Sequence, residues 1–425
     1  MEGNDLYFNM RGCASNQISD PSESGIFFHC GGLKTRVDRG DMPNLSCLAS
    51  SIHHFMAEDR IVLSWSAKDI FSHVRSRTEM SMEMKGTLYD LALISSYLSV
   101  DMPQPNTFRE AVDSLKRLLS HPGWKRMSDF YKKVYVPLAT SVLPEMESCC
   151  LVDNAKRLCV YPNYVMEGQA NGRLKALAPT EAHYNPHSLG PEQKRNLRPP
   201  GYEEVFVNFD YRNMEVNVLQ WLSGDEELGG ILESSEDTYK SIWARIMNGE
   251  ATDSHRKICK DVFLPVVFGQ GARSLAFNVG IKEEIASKII DRLVRTFPVA
   301  FDWVTSQSAD GDNMAVDRFG RIRRFEGREL YKIRNFCVQS PASMICLRKL
   351  VRLHESLSGL ARPCFHVHDG YYVVCAKNDV DSVCEVGTGV LEEEDEMFPG
   401  LMLRTACCFG NSLGEMNPAK KGKPR

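Results

Sequence analysis

The spacing of apolar residues changes several times along the chain, and each change marks an element. Ile61-Val62-Leu63-Ser64-Trp65 reads as a strand. Leu88 to Leu98, Phe108 to Leu119 and Met127 to Met146 each carry apolar residues on one helical face. Residues 147–175 are short and irregular, with Val160 to Val165 as an edge strand because Pro162 cannot donate to a ladder. Residues 176–200 hold five prolines among polar residues and read as a loop. An apolar strand, Val205-Phe206-Val207-Asn208-Phe209-Asp210, runs into a helical stretch from Tyr211 to Leu222. Residues 211–300 are mostly helical, with clear 3.6-residue periodicity from Ile281 to Phe297. Val316 to Phe325 predicts a hairpin turning at Gly320. Residues 326–358 predict a long helix, and Cys364 to Val374 predicts a second hairpin with Asp369-Gly370 at its tip. Residues 1–58 are weakly patterned, and the basic end Lys420 to Arg425 is expected to be mobile.

Composition narrows the picture little. At 425 residues the chain can hold two or three subdomains, and 25% charged with 43% hydrophobic is ordinary for a globular protein. The net charge of −4 means that nucleic-acid affinity must come from local patches. Fourteen cysteines lack regular spacing, and Cys149-Cys150 and Cys407-Cys408 are adjacent. Free thiols are expected, hence a reducing compartment such as cytoplasm or nucleus, with viral, phage or organellar origins left open. No apolar run reaches the ~18 residues of a membrane span, so no membrane partner is expected. Met1 to Asn9 carries acids and no apolar core, unlike a signal or transit peptide.

The candidate chemistry lies at Asp210 and Asp369. Two carboxylates on neighbouring strands of one sheet can hold a pair of divalent metals roughly 4 Å apart, the arrangement for in-line displacement at a phosphate. Between them in sequence, Arg256, Lys260, Leu264 and Phe268 recur every four residues and share a helix face ending at Gly269. Two cations one turn apart can grip a triphosphate, and the apolar pair beyond them offers a platform for a base. A cationic pair alone is more often a solvated face, but a solvated face does not explain the apolar continuation. The run Arg318, Arg321, Arg323, Arg324, Arg328, Lys332 and Arg334 against Glu326 and Glu329 suits salt-sensitive phosphate contact, though such runs are commonly plain surface. His29 and His53-His54 lack metal-ligand spacing, and the adjacent cysteines read as small core residues.

From about residue 160 onward the chain resembles the family A (polymerase I type) DNA polymerases. Their motif A matches Asp210-Tyr211-Arg212-Asn213-Met214-Glu215. Motif B matches Arg256, Lys260, Leu264, Phe268 and Gly269, and motif C matches Val367-His368-Asp369. The resemblance implies an α+β right-hand polymerase fold, with both aspartates on an antiparallel palm sheet, a helical fingers insertion and a helical N-terminal region. It implies template-directed addition of dNTPs to a primer 3′-hydroxyl, with two Mg²⁺ held by Asp210, Asp369 and the Tyr211 carbonyl. Arg256 and Lys260 would bind the triphosphate, Lys260 protonating the leaving group. Leu264 and Phe268 would pack on the nascent base pair, and Glu215 would exclude a 2′-hydroxyl. Arg173, Asn335 and Gln339 would contact the minor groove, with Arg334 beside them on the DNA and His368 near the primer terminus. The implied partners are DNA primer–template and dNTPs, with a processivity factor, helicase or separate exonuclease.

The implied division is a weakly structured segment over 1–58, an exonuclease-like remnant or divergent thumb over 59–147, palm over 148–215, fingers over 216–325, and palm with a basic tail over 326–425. No Asp-x-Glu precedes the remnant, so proofreading is not expected. Four departures matter. Gly370 stands where the family usually has an acid. Leu264 replaces an aromatic ring, which predicts slower addition and poor acceptance of dideoxynucleotides. Phe268 replaces a tyrosine whose hydroxyl would bond Glu215, which predicts a loosely held Glu215 and leaky ribonucleotide exclusion. Pro265 sits inside the motif B helix, where a proline removes one backbone bond and kinks the helix at a cost of about 3 kcal/mol. Two rivals remain: a degraded polymerase serving as a DNA-binding scaffold, favoured by Gly370 and Pro265, and a single-subunit RNA polymerase, disfavoured by Glu215.

Overall fold

A computed structural model describes residues 6–11, 25–30, 33–38, 61–65, 67–78, 87–105, 108–166, 169, 171–234, 236–307, 313–329 and 331–419. The basic end from Lys420 and the His53-His54 pair lie outside the described residues.

Among the described residues, three five-stranded sheets, one two-stranded hairpin and the helices between them build the α+β fold. The first has the order β3-β2-β1-β4-β5. Strands β1 (Leu6–Arg11), β2 (Gly25–Cys30) and β3 (Leu33–Asp38) form an antiparallel meander, and β4 (Ile61–Ser64) and β5 (Thr87–Asp90) extend it in parallel. Residues 1–58, expected to be weakly structured, therefore supply three strands. Strand β1 also pairs with β4, some fifty residues away in sequence, and so distant a partner leaves no local signal. Helix Ala67–Thr78 crosses between β4 and β5. The stretch from Leu88, expected to be all helix, is strand to Asp90 and helix from Leu91 to Leu98. Buried Asp90 makes the break: it N-caps that helix, accepting from Leu93 N at 3.1 Å, and also accepts from Ala67 N at 2.6 Å.

Residues 124–148 form one helical run with π-turns at Tyr131–Tyr135 and Leu138–Val142. Pro137 lies between the two turns, which absorb its missing N–H. The run packs on helix Ala67–Thr78 at one side and on β7 and β14 at the other.

The second sheet joins β10 (Leu197–Arg198), β6 (Leu151–Asp153), β7 (Leu158–Val165) and β8 (Lys175–Leu177), with β9 (His183–Tyr184) also on β7. Strand β7 is interior rather than the expected edge strand. Its Pro162 lies opposite Tyr184 of β9, where the short partner demands few ladder bonds. Residues 176–200 are likewise not only loop but a series of two- to six-residue elements, too short for a periodic signal.

The third sheet runs β14-β15-β11-β16-β17 and is antiparallel. Strand β11 (Glu204–Tyr211) lies between β15 (Gly370–Ala376) and β16 (Thr405–Gly410) and buries Val205, Phe206, Val207 and Phe209. Helices Lys332–Ser356 and Val380–Glu392 pack beside the sheet. Buried Lys349 donates to the carbonyls of Val390 and Glu393, at 3.0 and 2.5 Å, a cation placed on the C-terminal end of the second helix.

Between β11 and Lys332–Ser356 come helices Met214–Ser223, Thr238–Met247, Asp253–Val267, Ala272–Val279 and Glu283–Thr296. The expected hairpin forms as β12 (Met314–Val316) and β13 (Ile322–Arg324), with Gly320 at φ +86° in its turn. Helix Asp253–Val267 runs through Pro265 to its end. The proline sits in the last turn, so only the carbonyl of exposed Asp261 loses its helical donor.

Candidate active site

Sheet register brings the two aspartates together. Asp210 lies opposite Gly370, and Tyr211 N donates to Asp369 O at 3.3 Å. Asp369 follows His368, whose φ of +57° turns the chain between β14 (Ala361–Val367) and β15. Gly370 matters through space: a Cβ there would stand 3.1 Å from Asp210 Oδ1. An acid at 370 would require the Asp210 carboxylate to shift.

Both carboxyls are held above their usual range. Burial raises Asp210, partly offset by Lys260. Burial, then repulsion from Asp210, pushes Asp369 up to about 6. A cation between them would relieve that repulsion.

The aspartates line a cavity of about 560 Å³, within the usual range for small-molecule sites. Of the residues singled out from sequence, Arg173, Tyr211, Glu215, Arg256, Lys260, Leu264 and His368 share its lining. Phe268, Arg334, Asn335 and Gln339 do not. Phe268 caps the motif B helix and packs half-buried on the core. The Arg334 guanidinium lies beside Gly269. Asn335 and Gln339 are one turn apart on helix Lys332–Ser356.

Glu215 is not loosely held. It pairs with Arg173 and accepts from Gln339 Nε2 at 3.1 and 3.2 Å, and Asn171 steadies Gln339 at 3.1 Å. The loss of a tyrosine hydroxyl at Phe268 is therefore made good by other donors. His368 stays neutral, pushed down to about 4 by burial, Arg173 and His187, whose ring is 5.0 Å away.

The basic run 318–334 is largely occupied within the fold. Arg318 lies over Trp221, buried Arg321 lies over Tyr97 and donates to Gln169 O, and Arg323 and Lys332 both pair with Glu329. Arg324 is exposed. Aromatic neighbours from distant segments take Arg318 and Arg321, which the local sequence could not reveal.

The cavity also takes in Arg212, Asn213, Asp237, Thr238 and Tyr239, none of them expected there. The Asp-Thr-Tyr-Lys pattern before the apolar run Ile242, Trp243, Ile246 signals a capped helix start. It does not signal that Asp237 reaches Arg256. Among the described residues no helix is long and apolar enough to cross a membrane.

A family model described as DNA polymerase family A matches residues 103–415. The DNA polymerase I of Chloroflexus aurantiacus is 25% identical over 287 residues, covering 62% of this chain and 30% of that protein. The DNA polymerase of Mycobacterium phage L5 is 28% identical over 155 residues, covering 36% of this chain and 25% of that protein. The thermostable DNA polymerase I of Thermus aquaticus is 27% identical over 204 residues, 44% of this chain and 24% of that protein. The chain thus spans between about a quarter and a third of these relatives. Among solved structures, the POL domain of Pol1 from M. smegmatis, in complex with DNA primer-template and dNTP, superposes with a TM-score of 0.73 at 14% identity. The match covers 97% of this chain and 96% of that one. The fold is that right-hand polymerase arrangement.

Proposed function

Because the chain belongs to DNA polymerase family A, we propose that it is a template-directed DNA polymerase that adds dNTPs to a primer 3′-hydroxyl. The observation that carries this reading is one cavity with Asp210 and Asp369 on its palm wall and Arg256, Lys260 and Leu264 on the facing helix. Residues 148–215 and 326–425 serve as palm and 216–325 as fingers.

Polymerases of this family use divalent metal ions. Two Mg²⁺ fit the donor set here, because Mg²⁺ takes few carboxylates and completes its shell with water and substrate phosphates. Asp210, Asp369 and the Tyr211 carbonyl would hold them. Bound there, they would supply charge neutralisation at the reacting phosphate and lower the pKa of the primer hydroxyl. Arg256 and Lys260 bind and orient the triphosphate, and Lys260 gives a proton to the leaving pyrophosphate. Leu264 and Phe268 pack on the nascent base pair. Glu215 fills the space a 2′-hydroxyl would need. Arg173 and Gln339, which brace Glu215, contact the minor groove together with Asn335, with Arg334 beside them on the DNA, and His368 stands near the primer end. A processivity factor, helicase or separate exonuclease would complete the machinery.

Primer extension tests the reading. A labelled primer–template with Mg²⁺ and dNTPs should extend by template sequence, whereas rNTPs should extend far less because Glu215 is braced. No extension by a protein that still binds the duplex would favour a scaffold instead.

A pH dependence follows from Asp369. Below about 6 its proton competes with a cation, so kcat/KM should fall on the acid side. Raising Mg²⁺ should move that limb to lower pH. A limb indifferent to Mg²⁺ would mean that Asp369 does not hold the ion.

A further inference from the structure

Asp237 belongs to none of the three motifs, yet it and the adjoining Thr238 reach two of the elements that carry them. It N-caps helix Thr238–Met247, its Oδ1 accepting from Lys240 N at 3.1 Å. Its Oδ2 accepts from Arg256 Nε at 2.5 Å. The adjoining Thr238 Oγ1 accepts from Asn213 Nδ2 at 2.9 Å, in the turn that follows Asp210 and Tyr211. Lys240 and Asp253, 2.7 Å apart, pair the same two helices a little further on. Asp237, Thr238, Asn213 and Arg256 all line the cavity.

The contact through Nε has a consequence for the guanidinium. Arginine presents five donors on a rigid plane, and its value for phosphate lies in offering two of them side by side. Among the described residues the Nη groups of Arg256 have no partner, while Nε is held. A side chain anchored this way keeps its fork free and loses little further freedom on binding an anion.

We propose that Asp237 is a positioning residue for the incoming nucleotide: it holds Arg256 by Nε so that the triphosphate meets an oriented pair of Nη donors. The inference rests on the polymerase reading above and names a further part of its nucleotide site. The opposite role, a carboxylate that competes with phosphate for Arg256, predicts the opposite sign.

Single-nucleotide incorporation across a range of dNTP concentrations separates the two. The proteins are wild type, Asp237→Ser, Arg256→Ala and the double variant. Serine keeps the N-cap but is too short to hold Arg256. Asp237→Ser should raise KM for dNTP about tenfold and leave kcat within about threefold. Adding it to Arg256→Ala should raise KM no further, because both changes remove one unit. An unchanged or lowered KM in Asp237→Ser, or full additivity in the double variant, overturns the proposal. If Asp237→Ser melts early, Asp237→Asn carries the same comparison, since it keeps a capping oxygen and loses the charge. Calorimetric binding of tripolyphosphate gives a reading that needs no polymerisation. Weaker binding by Asp237→Ser supports the pair even if wild type extends no primer, an outcome that would count against the polymerase reading alone. Equal or tighter binding sinks the pair.

Discussion

Replacing Asp369 by Asn is expected to lower kcat/KM for dNTP incorporation by about 10³-fold, with primer–template binding and fold retained. The size follows from the several kcal/mol of charge stabilisation that a correctly held metal supplies at a reacting phosphate. Asparagine fills the same space, and the backbone bond from Tyr211 N to the residue 369 carbonyl survives, so the turn keeps its shape. Stability should move the other way from activity. Asp369 titrates near 6 against 3.8 for the free side chain, through burial and Asp210. A carboxylate raised in the fold costs stability above its folded pKa, and the cost fades as pH falls from about 6 towards 3.8. Without divalent ions, Asp369→Asn should therefore melt at or above the wild-type temperature at neutral pH, the difference closing in acid. A variant that extends primers within tenfold of wild type would remove Asp369 from the metal site. One that unfolds would show that its carboxylate holds the turn together.

The sequence made the site more legible than its surroundings, for physical reasons. Asp210 ends a strand with an apolar run before it, Asp369 sits at a hairpin tip, and Arg256 to Phe268 repeat every four residues. Each is a local pattern imposed by strand or helix geometry; Asp210, Asp369, Arg256, Lys260 and Leu264 line one cavity, while Phe268 caps the helix outside that lining. What stayed hidden depends on contacts between distant segments. The strands β1 to β3 make sense only beside β4, and the interior place of β7 only beside β9. Glu215 finds Arg173 and Gln339, 42 and 124 residues away in sequence. Arg321 lies over Tyr97 rather than facing a phosphate. Asp237 was legible as a cap and illegible as an arginine's partner, because its second oxygen reaches a different helix.

The largest expected loss of stability comes from Lys68, far from the cavity. The residue is 6% exposed, and its ammonium donates to Tyr164 O at 2.6 Å and Glu147 Oε1 at 3.0 Å, with Asp69 Oδ1 at 2.8 Å. Glu147 in turn accepts from Tyr164 N at 2.6 Å. One cation therefore fastens helix Ala67–Thr78 to the end of the 124–148 run and to β7. Burial alone would lower the lysine pKa, but Glu147 and Asp69 outweigh it and hold the group above its usual 10.5. Lys68→Met keeps much of the packing and strands the Glu147 carboxylate in a buried setting, a change that typically costs about 3–5 kcal/mol. Because the folded pKa is the higher one, the contribution is complete below 10.5 and is lost only as pH rises through the folded value. The destabilisation should thus be level across neutral and mildly alkaline pH. Hydrogen exchange would locate it, with faster opening at Ala67–Thr78 and β7 and little change at β11 and β15. The double variant Lys68→Met/Glu147→Leu should recover part of the loss, since it removes the stranded charge along with its partner but leaves Tyr164 N without its acceptor. If the single variant loses less than about 1 kcal/mol, as exposed ion pairs do, the network is not what holds helix Ala67–Thr78 to the rest of the molecule.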